Sequence, residues 1–327
     1  MTLADQTLPV MHEVSVDATH EIIRLDKFIA SQFPHFSRTY IQHLIDNQCV
    51  NVNGQCARKP SQMVKAHDSI QLTVPEIKAR ASAIGTQDLG IKILFTHEHF
   101  FIIDKPAGLL VHPTSTYCRD TTLVDWLIST FPELQGIGPS DRTAIVHRLD
   151  RETSGLMIIP RSNYAHQIFG ALFKSRTIHK TYHAIVCGHL DKQGMITAAI
   201  GRDMVHRKKM SAYEQQDYIS NVNDLQKRGS VKKRNATTYY TAIEYFKEHC
   251  LVALKPITGR THQIRVHMKH LQHPLLGDSL YGTSSTFIAR HALHASALSF
   301  TFDGQPFEFV SEFPADFQNA LTQLRTY

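Results

Sequence analysis

Residues 76–90, EIKARASAIGTQDLG, break the patterning of this 327-residue chain and limit what can fold in front of them. They have neither the 3.6-residue period of a helix nor strand alternation, and they carry Ala, Ser and Gly, so a linker is expected there. Residues 22–75 must then close a core of their own within about fifty positions, behind an expected extension at residues 1–21. Residues 91–327 have room for a much larger domain.

The smaller unit has a legible order. RLDKFIASQF sets Leu25, Phe28, Ile29 and Phe33 at helical spacing. Ser37 is a candidate N-cap for RTYIQHLIDNQ, whose Ile41, Leu44 and Ile45 form a second apolar face. CVNVNGQ alternates and turns at Asn53-Gly54, a dipeptide of tight hairpins, and DSIQLTV alternates again until Pro75. Arg24, Lys27, Arg38, Arg58 and Lys59 would give this unit a basic face.

Beyond residue 91 the texture is mostly strand. IKILFTHEHFFIIDK reads as two strands about THEH, and TAIVHRLD, GLMIIPRS, KTYHAIVCG, TTYYTAIEYF and LVALKPI as further strands. TTLVDWLISTF and NYAHQIFGALFKS are amphipathic helices, the second with Ser162 as a cap. Helices interspersed irregularly among strands predict an α+β fold with a mixed, mainly antiparallel sheet.

Charge is unevenly spread. Between Arg202 and Arg234 stand nine Lys/Arg and four acids, nearly the whole net charge of +6. A basic segment in a basic chain points to a nucleic-acid partner. No apolar run approaches the roughly 20 residues that span a bilayer, and the start lacks a signal-peptide pattern. The five cysteines form no C-x-x-C pair, which fits a reducing cytoplasm. Neither a phosphate loop nor a dinucleotide fingerprint occurs.

Two stretches could carry chemistry. In HRLDRETSGL, strand alternation would put Arg148 and Asp150 on one face, and His147, Leu149 and Arg151 on the other. An acid among arginines is ordinarily a surface ion pair, worth about 0–1 kcal/mol; the alternative is a reactive carboxylate held beside a polyanion. In PITGRTHQIRVHMKHLQHP, Thr261 is a candidate N-cap and Ile264, Met268 and Leu271 a buried stripe, which places Arg265 in the first turns. His262, His267, His270 and His273 crowd the same segment. Without an H-E-x-x-H pattern in a chain of 21 histidines, they argue weakly for metal, and none is expected.

RLDKFIA, SRTYIQHLI and VNVNGQ, in that order, resemble the S-four-like RNA-binding domain. DKPAGLLVHP, HRLDRETSGL, KTYHAIVCG and ITGRTHQIRVHMKHLQHPLLGDSLYG resemble the successive motifs of RluA-type pseudouridine synthases, across residues 91 to about 300. The pairing of the two resembles the ribosomal-RNA branch of that family. The resemblance implies conversion of uridine to pseudouridine in structured RNA: the bond from N1 to the ribose is cut, the base turned, and the bond remade at C5, with no cofactor. It implies Asp150 as the catalytic carboxylate, as nucleophile or as base, with Arg265 paired to it, since an adjacent cation favours the ionised form. Tyr182 would stack on the uracil, and Arg148 would fill the gap left by the flipped nucleotide, or else merely pair with Asp150. Arg207, Lys208 and Lys209, with Arg24, Lys27 and Arg38, would contact phosphate. Ribosomal RNA is the expected partner and transfer RNA the alternative, with the protein a cytoplasmic monomer off the membrane. A non-catalytic RNA-binding assembly protein and a metal-dependent hydrolase are the rival classes. The stretch from Ala212 to Asn235, inside the basic insertion 202–235, departs from the family by its length and charge.

Overall fold

The computed structural model describes residues 10–17, 22–33, 38–74, 88–113, 120–139, 142–206, 209–214 and 232–327. The chain divides into two compact units, Met1–Arg80 and Ala81–Tyr327. Residues 75–87, spanning most of the expected linker, lie outside the described residues, as does the proposed cap Ser37.

In the first unit, β1 (Val10–Ser15), β3 (Val50–Val52), β4 (Gln55–Cys56) and β6 (Ser69–Val74) form a sheet in the order β1-β6-β3-β4. A short pair, β2 (Ile23–Arg24) with β5 (Met63–Val64), stands beside it. The helices are α1 (Leu25–Gln32) and α2 (Arg38–Asp46). The strand β1 pairs with β6 along its whole length, so part of the stretch read as an extension belongs to this sheet. Asn53 and Gly54 both take positive φ, 52° and 76°, as a two-residue hairpin turn requires. The predicted apolar faces meet in one core that includes Leu25, Phe28, Ile29, Ile41, Leu44, Val50, Ile70 and Leu72.

The second unit, among the described residues, is built on a ten-stranded sheet ordered β12-β11-β13-β14-β10-β15-β9-β8-β7, with β16 added on β15. Its strands are β7 (Lys92–Thr96), β8 (Phe100–Lys105), β9 (Ser154–Pro160), β10 (His179–Cys187), β11 (Gln193–Arg202), β12 (Met210–Tyr213), β13 (Arg234–Tyr245), β14 (His249–Pro256), β15 (Leu293–Phe302) and β16 (Gln305–Val310). Only the β9–β15 pairing is parallel, so the sheet is mixed and mainly antiparallel, as predicted. FFII in β8 and LMII in β9 read as unbroken apolar runs because the sheet is covered on both sides. Phe101, Ile103, Met157 and Ile159 pack under α3 (Leu123–Thr130), while Phe100, Ile102, Leu156 and Ile158 pack under α4 (Asn163–Ser175). The helix α5 (Gln263–His270) lays Ile264 and Met268 on β10, β13 and β14, and α6 (Ala315–Thr326) covers a further patch of core.

Two local expectations need correction. TAIVHRLD is not a strand: residues 142–150 run as turns and irregular backbone, with Ala144 at φ 57°. The reason lies at β9, where a side chain does the work of a strand: the N–H of Ile158 donates to His147 Nε2 at 2.8 Å. The cap of α5 also shifts by one residue. His262, in the left-handed region (φ 56°), is the N-cap in place of Thr261. The loop leading into the helix is braced by Gln263 Oε1, which accepts from Thr258 Oγ1 at 2.6 Å and from the N–H of Arg260 at 3.0 Å.

Candidate active site

The irregular segment 147–153 is held from several directions. Lys105, fully buried at the end of β8, donates to the carbonyls of Pro106, Leu109 and Arg151 at 2.7, 2.9 and 3.1 Å. Burial pushes its pKa down to about 7. Arg290 donates to the Glu152 carbonyl at 2.9 Å and forks onto Asp316. Thr153 and Ser154 bond His291 and His294 at 2.8 and 3.0 Å. Gly155 then enters β9 at φ +117°, where a Cβ would sit 2.3 Å from the Ala295 carbonyl oxygen. Only glycine fits that crossing of β9 and β15, which accounts for the SGL that follows the acid.

Asp150 projects from this platform into a cleft also lined by Arg148, Lys180, Tyr182, Thr258, Arg260, His262 and Arg265. The cleft holds about 110 Å³ of free volume. That is several times the roughly 10–15 Å³ that one water requires. Arg265 is almost completely buried and divides its guanidinium between two acids. Nε and Nη2 fork onto Asp278 at 2.7 and 2.8 Å, and Nη1 donates to Asp150 Oδ2 at 3.2 Å. Burial opposes the charge on both members of the inner pair. Their mutual hydrogen bonds outweigh it, so the Asp278 pKa is lowered and that of Arg265 raised. The N–H groups of Leu280 and Tyr281 also donate to Asp278, which completes its shell. Asp278 thus fixes the guanidinium in the one orientation that reaches Asp150. Oδ1 of Asp150 takes no partner among the described residues and is the oxygen free to act.

A second group approaches the same carboxylate. His262 Nε2 lies 3.9 Å from Asp150 Oδ2, and its Nδ1 lies 2.8 Å from the Tyr281 hydroxyl. That hydroxyl accepts the N–H of Met210 at 2.8 Å, and Arg265 stacks over the Tyr281 ring at 5.0 Å. Burial lowers the His262 pKa, so the ring is neutral. With Tyr281 donating to Nδ1, the remaining proton sits on Nε2 and presents a donor, not a lone pair, to the carboxylate. The left-handed backbone at His262 is what turns the ring this way.

Tyr182 lies on β10, just after the register shift between Thr181 and Tyr182 against β15, and such an irregularity re-aims a side chain. Its ring is wedged between the core under α3 and the core under α5. Burial and then the charge of Asp150 raise its pKa, so it enters the cleft as a neutral phenol.

Asp150, Tyr182, Arg265 and Arg148 therefore share one cleft. Arg148 does not pair with Asp150: its Nη1 lies 3.1 Å from His112 Nε2. Arg151 points away and pairs with Asp120. The other predicted contacts are less uniform. Arg24 forks onto buried Asp26, both contacts at 3.0 Å, so its guanidinium is already engaged. Lys27 is exposed and Lys209 half-buried, whereas Arg207, Lys208 and the Arg38 side chain lie outside the described residues, as do residues 215–231 of the basic insertion. Three of the four histidines in this segment hold structural bonds: His267 to Thr238, His273 to the Cys187 carbonyl and His262 to Tyr281. Sequence reasoning gave no role to Asp278, Tyr281, Lys105 or Lys180, although GDSLYG and DKPAG lay within the quoted motifs.

A family model described as RNA pseudouridylate synthase matches residues 99–270, and an S4 domain model matches residues 23–70. The first span contains Asp150, Tyr182 and Arg265 in one match. The chain belongs to the RNA pseudouridylate synthase family. It is 36% identical to "Ribosomal large subunit pseudouridine synthase D" of Zymomonas mobilis, over 93% of this chain and 95% of that one. The protein of the same name from Pseudomonas aeruginosa is 34% identical over 92% of each chain. Among solved structures, "Human RNA Pseudouridylate Synthase Domain Containing 1" superposes with a TM-score of 0.53 at 26% identity, covering 68% of this chain and 84% of that one. Among the described residues of this pseudouridine synthase, no helix is long and apolar enough to cross a membrane.

Proposed function

We propose that this synthase converts uridine to pseudouridine in large-subunit ribosomal RNA and that Asp150 is its catalytic carboxylate. The observation that carries this is the division of Asp150: Oδ2 is held by Arg265, while Oδ1 is open to a cleft shared with Tyr182. Oδ1 either attacks C1′ of the ribose as N1 leaves, or removes a ribose proton to start elimination. Both routes free the uracil, which turns and bonds to C1′ through C5. The C5 hydrogen then leaves as a proton and N1 takes one up, so the product is an isomer and no redox partner enters. Tyr182 stacks on the base as a neutral phenol, and Arg148 occupies the gap in the RNA stack, whose opening costs a few kcal/mol. Arg265 and His262 act on Asp150 and position it.

Ribosomal RNA is favoured by the names of the two bacterial relatives and by the S4 domain match at residues 23–70. The enzyme acts as a monomer in the cytoplasm, with Lys27 and the basic turn at Lys209 among its phosphate contacts. Mapping pseudouridine in ribosomal and transfer RNA from cells with and without this protein tests the assignment. Loss of one or more large-subunit sites is expected. Loss confined to transfer RNA would replace the target, and an unchanged map in both would overturn it.

A further inference from the structure

Beside the catalytic cleft, and sharing Arg148, Lys180, Tyr182 and Arg260 with it, runs a larger groove of about 470 Å³. Its far wall is the C-terminal end of α4, with Phe173, Lys174 and Arg176. Among the described residues no carboxylate lines it. Among the described residues Lys174, Arg176 and Lys180, which all line the groove, make no salt bridge. The Lys180 ammonium lies 5.8 Å from the Phe173 ring centroid, and burial pushes its pKa down to about 8. Arg260 has only a long contact, 3.5 Å, to the Asn235 carbonyl. Burial, and then Arg234 and Arg176, lower the Arg260 pKa, as expected of cations crowded without an anion. The floor is different in kind: Phe173, stacked on His147 at 4.7 Å, faces a groove whose other apolar residues include Val146 and exposed Ile257.

An apolar, partly aromatic floor under unpaired cations is the combination that binds single-stranded nucleic acid, through base stacking and phosphate contact together. We propose that this groove seats the nucleotide flanking the target uridine, its base against Phe173 and Ile257 and its phosphates against Lys174, Arg176 and Lys180. The proposal rests on the RNA substrate given above and adds a substrate class: uridines whose neighbour can also leave the stack, in loops and at bulges. Arg176 supports it from the backbone. It caps α4 in the left-handed region (φ 65°), where glycine is the favoured residue, so the side chain is kept against a conformational cost.

The same strain supplies the test, because Arg176→Gly removes the charge and relaxes the backbone. The full-length double variant Arg176→Gly/Lys174→Ala is compared with wild type and with a charge-matched control, Lys192→Ala/Lys247→Ala. Both control residues sit at the hairpin ends of the sheet remote from Pro256 and the cleft. Affinity is measured for a labelled RNA hairpin with uridines in its loop, and for a blunt RNA duplex of equal length. The groove variant should bind the hairpin about tenfold more weakly, with the log–log salt slope reduced by about 1.4 for two single-strand phosphate contacts. Duplex binding by the groove variant, and hairpin binding by the control, should change by less than about twofold. No change for the hairpin, or equal weakening for hairpin and duplex, would overturn the proposal. If wild type forms no pseudouridine in any RNA the enzymatic assignment fails, yet the binding measurements still decide the groove.

Discussion

The Asp150 cleft and the groove beside it share four cationic or aromatic residues but treat charge differently. In the cleft the charges nearest Asp150 are paired and aimed: Asp278 fixes Arg265, Arg265 holds one oxygen of Asp150, and the chain from Met210 through Tyr281 turns His262 toward the same atom. In the groove Lys174, Arg176 and Lys180 stand without carboxylates. A reacting acid must be held in one geometry before substrate arrives. A phosphate seat works the other way, leaving its cations unmatched until the polyanion matches them.

The largest effect that would sharpen this contrast is Asp150→Asn. It should lower turnover by about 10,000-fold while leaving RNA affinity within about threefold. Single-turnover assays and binding isotherms on the same preparation check both halves. A variant that still turns over, or that no longer binds, would blur the division between chemistry and binding.

Next in size is Asp278→Ala. It leaves the buried Arg265 guanidinium without its fork, which should cost about 3–5 kcal/mol in urea unfolding, along with loss of turnover. A groove cation removed alone should cost almost nothing in stability. Equal losses at the two places would break the comparison.

These paired charges show what the sequence could and could not convey. Asp150 and Arg265 stood out through the resemblance of HRLDRETSGL and ITGRTHQIR to family motifs; the local pattern alone, an acid beside arginines, reads as an ordinary ion pair. The strands KTYHAIVCG, TTYYTAIEYF and LVALKPI were legible because alternation is a local property. Asp278 and Tyr281 were not, because nothing near residue 280 reveals that α5 will bring a guanidinium to them. The groove was hidden more completely. Its cations come from residues 142, 148, 174–180 and 260, and the non-sequential order β14-β10-β15 helps bring those segments together. The misread strand TAIVHRLD has the same origin. Its alternation is genuine, with Leu149 in the core and Asp150 in the cleft, but His147 meets the edge of β9 with a ring and not a backbone.

A smaller effect probes the relay to Asp150. Tyr281→Phe removes the hydroxyl that orients His262, and kcat should fall about five- to tenfold, the size of one hydrogen bond of about 1 kcal/mol. KM for RNA should hold, because neither residue faces the groove. The pH profile should stay that of wild type, because burial and not the hydroxyl is what lowers the His262 pKa. A changed KM with constant kcat would move Tyr281 to the binding side.

The smallest effect at neutral pH belongs to the buried histidines of the scaffold. Burial holds His147 and His291 down to about 3, and His267 and His294 down to about 4. They are neutral when folded but take up protons below about pH 6.5 when unfolded. Their contribution to stability is therefore complete above that pH and is lost progressively as the pH falls toward 4. Urea midpoints should drop steeply across that window, with net uptake of about four protons on unfolding. A flat profile from pH 6.5 to 4 would remove these rings from the account of how the platform under Asp150 is kept rigid.

The central claim is that the open oxygen of Asp150 drives an isomerisation and no other cleavage of uridine. In that reaction C5 must give up its hydrogen while the base stays on the RNA. RNA labelled with tritium at C5 of its uridines, incubated with the purified wild-type protein, measures this directly. The predicted result is tritium released to water in equal number to the pseudouridines formed, with no free uracil. Uracil released into solution, or pseudouridine absent with all tritium retained, would contradict it.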